Sequence, residues 1–374
     1  MNDPVVLPAR NRLNKYYKDE KISAGSRVVV RNKHTCPGRN SIKKTPLTFS
    51  AYAEVYYSYD FGEPGNHTKP SFLYNHNKHN ELNLNLGLLK AAYSTDRVRA
   101  NLGLMAGTYA TANLAAETDV MRHVYEANVG YRLGHNLWLD AGIMPSHIGF
   151  ESAVGKDCPT LTRSLSAENT PYYETGAKIT WNNDQWTVAA MYLNGWQRIR
   201  RPDGNQTPAL GTQVAYKPNS AILVNWSTFI GNDKADSVKQ MRYFSDLYGV
   251  LNVTEKFTLT AGFDYGMEQK SEGLSGMNKW YSITGIARIA LTEKLAMAAR
   301  GEYYHDENGV IVATGLPDGF RVGGYSLNLD LNPVSAVMFR LEGKVFNSRN
   351  EIFTKGAELD KHNLSITAMM AVAF

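Results

Sequence analysis

The sequence predicts an all-β protein: a transmembrane, up-and-down antiparallel β-barrel of about sixteen strands over residues 47–374, preceded by a basic leader at 1–46. Three observations carry this expectation. Apolar residues occupy every second position in many runs of 10–14 residues. Tight turns alternate with long polar connections along the chain. The apolar phase of the last run reaches Phe374, although no stretch approaches the ~20 consecutive apolar residues of a membrane helix.

The leader comes first. Of 40 Lys/Arg and 35 Asp/Glu, residues 1–46 hold 11 and 3, leaving 29 and 32 for the rest. The net charge of +5 is therefore a property of the leader and not of the folded body. Nucleic-acid binding requires a basic folded surface, so no nucleic-acid partner is expected. Val5-Val6-Leu7 and Val28-Val29-Val30 are the leader's apolar clusters, too short for the ~7–15 apolar residues of a secretion signal. The leader reads as irregular chain without a recognisable signal, as a misassigned start or a disrupted signal-coding region would leave it.

The first strand follows at 47–61. Leu47, Phe49, Ala51, Ala53, Val55, Tyr57, Tyr59 and Phe61 take the odd positions, and Thr48, Ser50, Glu54, Ser58 and Asp60 fall between them. A helix cannot gather this period onto one face. Leu82, Leu84, Leu86 and Leu88 repeat the device, as do Val98, Ala100, Leu102, Leu104 and Ala106. Strands are expected near 81–93, 98–111, 121–133, 137–145, 171–181, 186–196, 209–216, 221–230, 240–251, 257–268, 280–291, 295–305, 319–331, 336–346 and 362–374. Strands of soluble domains are most often ~5–6 residues long, whereas a tilted membrane strand needs ~9–11. Turns at 134–136, 182–185, 217–220, 292–294 and 332–335 alternate with long connections near 62–80, 112–120, 146–170, 197–208, 231–239, 269–279, 306–318 and 347–361. Outer-membrane barrels place short turns on the periplasmic side and long loops outside.

Sixteen strands enclose a space too wide for their own side chains to fill, so the interior must hold water or a plug. The polar phase then faces inward. Arg122, Glu126, Arg242, Asp264, Arg300, Glu302, Arg340, Glu342 and Lys344 are the pore-lining candidates, since opposed charge rows across a narrow lumen orient solutes and select ions. Aromatics near strand ends, Tyr57, Tyr59, Tyr131, Tyr172, Tyr173, Trp181, Trp186, Trp196, Tyr216, Trp280, Tyr303 and Tyr304, are expected to form interfacial girdles.

Enzymatic chemistry finds no foothold. His-Glu-x-x-His, Gly-x-Ser-x-Gly, Cys-x-x-Cys and Gly-x-Gly-x-x-Gly are all missing. Gly149 and Gly155 have five residues between them where a P-loop has four. His76 and His79 read as solvated loop residues and not as metal ligands. Cys36 and Cys158 are the only cysteines, so no disulfide framework is implied. No catalytic residue, metal or cofactor is expected.

Longer motifs carry a family resemblance. Residues 137–152 (LWLDAGIMPSHIGFES), 165–177 (LSAENTPYYETGA) and 192–199 (YLNGWQRI) resemble the OmpL-like β-barrel porins of Gram-negative outer membranes, over roughly 47–374 and including the terminal Phe. The resemblance implies an outer-membrane porin-type barrel and transfers no residue-level site. By analogy with general sixteen-stranded porins, the third long loop, 146–170, folds into the channel. Glu151, Lys156, Asp157, Arg163 and Glu168 are then constriction candidates, facing Arg300, Arg340 and Lys344.

The expected function is a channel for passive diffusion of small hydrophilic solutes or ions. Its partners are outer-membrane lipid, the outer-membrane assembly machinery and further copies of the chain as a homo-oligomer. Phe374, Val372 and Met370, on the outward phase of the last strand, resemble the assembly signal. A leader of 46 residues cannot supply the globular plug of an energised transporter. Two rivals make structural predictions of their own. A barrel hydrolase requires a Ser–His or Asp–His cluster at the outer rim, and a receptor or adhesin requires a lumen blocked by side chains or loops.

Overall fold

A computed structural model describes residues 46–271 and 273–374; the leader expected at 1–46 lies, apart from its last residue, outside them. The alternating runs become β1 (Leu47–Asp60), β2 (Leu82–Ser94), β3 (Val98–Ala106), β4 (Val124–Gly134), β5 (Leu137–Pro145), β6 (Tyr173–Asn182), β7 (Trp186–Leu193) and β8 (Ala209–Tyr216). They continue as β9 (Ile222–Asn232), β10 (Met241–Asn252), β11 (Phe257–Gln269), β12 (Met277–Ala290), β13 (Leu295–Asp306), β14 (Phe320–Val334) and β15 (Val337–Ser348). A small hairpin, β16 (Phe353–Lys355) and β17 (Glu358–Asp360), decorates the last long loop before β18 (His362–Ala373).

Sequence neighbours pair antiparallel around the ring, and β18 returns to β1 to close a sixteen-stranded barrel. The seam runs from Tyr52 opposite Ala373 to Asp60 opposite Ser365. The Ala51 amide donates to the Phe374 carbonyl at 2.7 Å and the Phe374 amide to the Ala51 carbonyl at 3.0 Å. Closure leaves no strand edge with unpaired backbone groups, which hydrocarbon would not tolerate.

The two phases separate as alternation requires. Phe49, Leu102, Phe263, Leu327, Leu341 and Ile366 project outward and are exposed, while Glu54, Ser282, Asn328, Asp330 and Thr367 point inward and are buried. An apolar exterior around a polar interior is the inverse of a soluble barrel. Tyr57, Tyr59, Tyr131, Trp181, Trp186, Tyr216 and Tyr303 lie on the outward phase, with the Trp186 and Tyr216 rings 4.2 Å apart. Tyr172, Tyr173, Trp196, Trp280 and Tyr304 instead join interior contacts, which corrects the girdle expectation for them. Adjacent residues of a strand face opposite ways, so Tyr303 and Tyr304 cannot share one girdle.

Two of the strand boundaries that differ from expectation have clear local reasons. The strand expected over 98–111 ends at Ala106, where Gly107 adopts φ +122° and a Cβ would lie 2.4 Å from the Asn85 carbonyl oxygen. Only glycine accepts that approach, and the chain turns there into α1 (Thr108–Asn113), which buries Tyr109 and Ala110. The strand expected from 121 begins at Val124, because Met121–His123 form a 3-10 turn.

Loops fill the interior that strands cannot. Beneath the outer mouth, Phe72 from the first long loop packs with Phe229, Phe244, Trp280, Phe320, Phe346 and Phe353, its ring centroid 4.7 Å from that of Phe320. Trp280 lies across its register partner Gly266, where a Cβ would sit 2.0 Å from the indole. A second cluster joins Tyr56, Leu86, Met105, Tyr109, Leu161 and Met369.

Candidate functional site: the loop-filled lumen

The loop of 146–172 (L3) starts where β5 ends and crosses the lumen. His147 anchors its root, with Nδ1 2.9 Å from Glu174 and Nε2 2.9 Å from the Thr228 carbonyl oxygen. The Gly149 amide donates to Asp246 on β10 at 3.2 Å. The chain then reaches β1, where the Gly155 amide donates to Glu54 and the Lys156 amide to the Tyr52 hydroxyl, both at 3.2 Å. It returns through α2 (Leu165–Glu168), capped by Ser164, whose Oγ accepts from the Ala167 amide at 3.1 Å.

The wall of β13–β15 holds L3 most firmly. Antiparallel register sets Arg300 opposite Ser326, Ser326 opposite Lys344, Asn328 opposite Glu342 and Asp330 opposite Arg340. With Glu302, these residues make one polar patch on one wall. Arg300 donates to Thr160 Oγ1 and the Thr162 carbonyl at 2.7 Å, and to Thr162 Oγ1 and Glu342 at 2.9 Å. Arg340 donates to the carbonyls of Gly155, Cys158 and Thr160 at 2.9, 2.7 and 2.8 Å. Lys344 donates to the Arg163 carbonyl at 3.0 Å and pairs with Glu302 at 3.1 Å. Glu302 and Glu342 each accept an L3 amide, from Leu165 and Thr162, at 2.5 Å.

The loop of 61–81 (L1) enters from outside and meets L3. Glu168 accepts from the Tyr74 and Asn75 amides at 2.9 and 3.2 Å; burial pushes its carboxyl above the ordinary range, against these donors. His76, fully buried, donates Nε2–H to Glu54 at 2.6 Å. Burial holds this imidazole below its ordinary range, and its unpartnered Nδ1 fits the neutral tautomer. Glu54 also accepts from Tyr52 and from Asn85 Nδ2, so one carboxylate joins β1, β2, L1 and L3.

Each residue singled out in the sequence has a definite place. Arg300, Glu302, Arg340, Glu342 and Lys344 face inward and are buried under L3; they share one wall instead of opposing one another across water. Glu126 pairs with Lys90. Arg242 pairs with Glu268 at 2.6 Å and Asp233 at 3.3 Å, beneath Trp196 and Trp280. Asp264 accepts from Ser282 at 2.9 Å and stands opposite Asp246. Arg122 is not on a strand: it caps its own loop through the Glu117 and Ala115 carbonyls.

Among the loop residues, Glu151 accepts from Ser164 and lies 4.0 Å from Arg300. Arg163 turns back on L3, donating to the carbonyls of Ser152, Leu161 and Ala153. Lys156 is half-buried and Asp157 exposed. His76 and His79, expected in solvent, are both buried, because L1 folds inward; the His79 Nδ1 accepts from the Asp60 amide at 2.9 Å. Sequence reasoning missed Glu54, His147 and Thr162 as interior anchors. The alternation pointed to Glu54, but nothing local marks a loop residue that will pair with a wall far along the chain.

A closed barrel of sixteen strands, apolar outside and filled by loops held on a charged inner wall, defines the porin class of membrane barrel. Residues 46–374 match the family described as "Putative beta-barrel porin-2, OmpL-like", and the chain belongs to that family. Solved structures share the fold. An anion-selective porin from Comamonas acidovorans is 8% identical with a TM-score of 0.59, over 88% of this chain and 99% of its own. OmpT of Vibrio cholerae is 10% identical with a TM-score of 0.58, over 89% and 99%. The outer membrane channel DcaP of Acinetobacter baumannii is 10% identical with a TM-score of 0.55, over 88% and 97%. Identities this low speak for fold alone. No curated protein matches the chain in sequence.

Proposed function

We propose that this porin-family barrel resides in the outer membrane and passes small hydrophilic solutes or ions by diffusion, with L3 as the segment that closes the path. The polar character of the seat of L3 carries the proposal. Arg300, Arg340, Glu342 and Lys344 hold L3 through hydrogen bonds and ion pairs. Water can replace such contacts when a loop moves, at far less cost than it can invade an apolar interface. Family and fold point to a channel and not to an enzyme. One solved form of Vibrio cholerae OmpT is a trimer, and the apolar outer wall of this chain offers a surface for a homo-oligomer as well as for lipid.

A receptor or adhesin with a permanently closed lumen is the second reading, favoured by the burial of all these wall charges. Planar-bilayer recording separates the two. The channel reading expects reproducible steps from heat-modifiable, folded protein, larger once L3 is shortened across 152–162. Silence from both proteins would refute it and favour the closed receptor.

A further inference from the structure

The outer mouth holds a second feature. Between L1, the β13–β14 loop and the last long loop lies a cavity of about 450 Å³, within the ~300–1,000 Å³ of small-molecule sites. Its polar lining includes Lys69 and Asp60, and its apolar lining Phe72, Val312, Ile352 and Leu359.

Lys69 is 4% exposed. Among the described residues its ammonium makes one hydrogen bond, to Ser58 Oγ at 3.3 Å. Arg300 and Lys344, also buried in this lumen, pair with carboxylates within 4.0 Å. A buried ammonium with two donors to spare is costly unless a ligand completes it. Asp60 uses Oδ1 for the Gly62 amide and for Asn363 Nδ2, at 2.8 and 2.7 Å. Its other carboxylate oxygen accepts none of these bonds. Asn363, also in the lining, has a buried Oδ1 without a partner.

The lining therefore offers one cation, Lys69, a buried carboxylate, Asp60, a second carboxylate at the exposed rim, Glu351, and an apolar wall. A simple anion would meet Lys69 but also face Asp60 and, at the rim, Glu351. A simple cation would meet Asp60 and leave Lys69 uncompensated. We propose that this vestibule is a binding site for an amphipathic zwitterion, an α-amino acid with an aliphatic side chain. Its carboxylate would accept from Lys69, its ammonium would donate to Asp60, and its side chain would lie against Phe72, Val312 and Ile352. The site does not depend on conduction.

Lys69 also gives the site a pH signature. Burial first, then Lys344, push its ammonium down to about 8, with Asp60, Glu168 and Glu342 opposing. Binding that needs this charge weakens as pH rises past that value, earlier than for an ordinary lysine.

Calorimetry on the folded full chain in detergent micelles tests this, with L-leucine as probe. Two analogues, 4-methylpentanoate and 3-methylbutylamine, each lack one charge. Leucine should bind, and both analogues should bind about tenfold more weakly or worse, the loss expected when one charge-assisted bond goes. Lys69→Met should cause a similar loss while the protein stays heat-modifiable. Lys69→Arg should retain binding and flatten its decline above pH 8. Equal binding of either analogue would overturn the zwitterion assignment, and no leucine binding at millimolar concentration would overturn the site. If Lys69→Met does not fold, the analogue series on the native chain still decides.

Discussion

Arg300 on β13 and Glu342 on β15 lie 2.9 Å apart, and both bond Thr162 at the centre of L3. A strand separates them, so the barrel wall fixes their spacing and L3 settles on a surface already built. Each is fully covered, so removing one breaks a buried ion pair, although Arg300 keeps Glu302 at 3.4 Å and Glu342 keeps the Thr162 donors.

Arg300→Ala is therefore expected to destabilise the folded barrel by about 3–5 kcal/mol and to loosen L3. Urea unfolding from vesicles measures the first effect. Bilayer recording measures the second, as larger or more frequent openings than in the unmodified protein. Unchanged conductance from a destabilised but folded variant would show that L3 does not close the path.

The root of L3 should respond to pH. His147 has an acceptor at each ring nitrogen, Glu174 and the Thr228 carbonyl, an arrangement that only the doubly protonated ring satisfies. Burial works against that charge, but Glu174 and the Thr228 carbonyl together outweigh it and raise the His147 pKa; Lys178 opposes. A group whose folded pKa is raised contributes its full stability below the unfolded value of ~6.5, and loses it as pH rises through the folded value. Hydrogen exchange at the Ile148 and Gly149 amides should thus quicken, beyond its intrinsic rate, as pH rises above ~6.5 through the raised folded value. His147→Gln should abolish the extra dependence. A pH-independent opening of these amides in the unmodified chain would contradict the charged root.

The outward face makes a separate prediction. Leu327 is exposed on β14 with Leu329 and Tyr325 in the same phase. In hydrocarbon, Leu327→Arg should cost ~2–4 kcal/mol if the site is near the bilayer midplane, measured by unfolding from phospholipid vesicles against Leu327→Ala. A soluble barrel would absorb the same change on its wet surface with little loss.

What the sequence made legible follows from the range of each interaction. Alternation depends on neighbours two apart, so the strands near 257–268 and 336–346 were legible directly, while which phase faces inward followed from the width of a sixteen-stranded barrel. Even the weakly patterned 209–216 became β8 within its expected limits. The lumen depends on partners such as Leu161 and Asn328, or Thr162 and Glu342, which meet through the barrel's closure. Nothing adjacent to Thr162 announces Glu342. The direction of L3 came from analogy, and its consequence, that the wall charges are consumed by the loop, needed the register of β13–β15. Likewise Phe244, Trp280, Phe320 and Phe346 sit in an inward phase whose neighbours include charges, and Phe72 arriving from L1 on Phe320 and Phe346, with Trp196 on Phe244, explains why they are apolar.

The closing seam yields the last prediction. Phe374 contributes to β18 in two separable ways: its backbone exchanges both hydrogen bonds with Ala51, and its side chain stands 79% exposed on the outer wall. Met370 and Val372 continue that outward row. Deleting Phe374 removes the bonds and the ring together, whereas Phe374→Ala removes the ring alone. If the terminal aromatic is the signal read during assembly, both variants should be synthesised normally, and both should reach the heat-modifiable, membrane-inserted form several-fold less. If the seam alone matters, only the deletion should fail, because Ala keeps the pair with Ala51. Polar replacements at Met370 and Val372 extend the comparison, as they leave every backbone bond of the seam in place. Normal insertion of Phe374→Ala together with Met370→Asn would remove the ring and its row from the assembly signal, leaving strand pairing as the terminus's whole contribution.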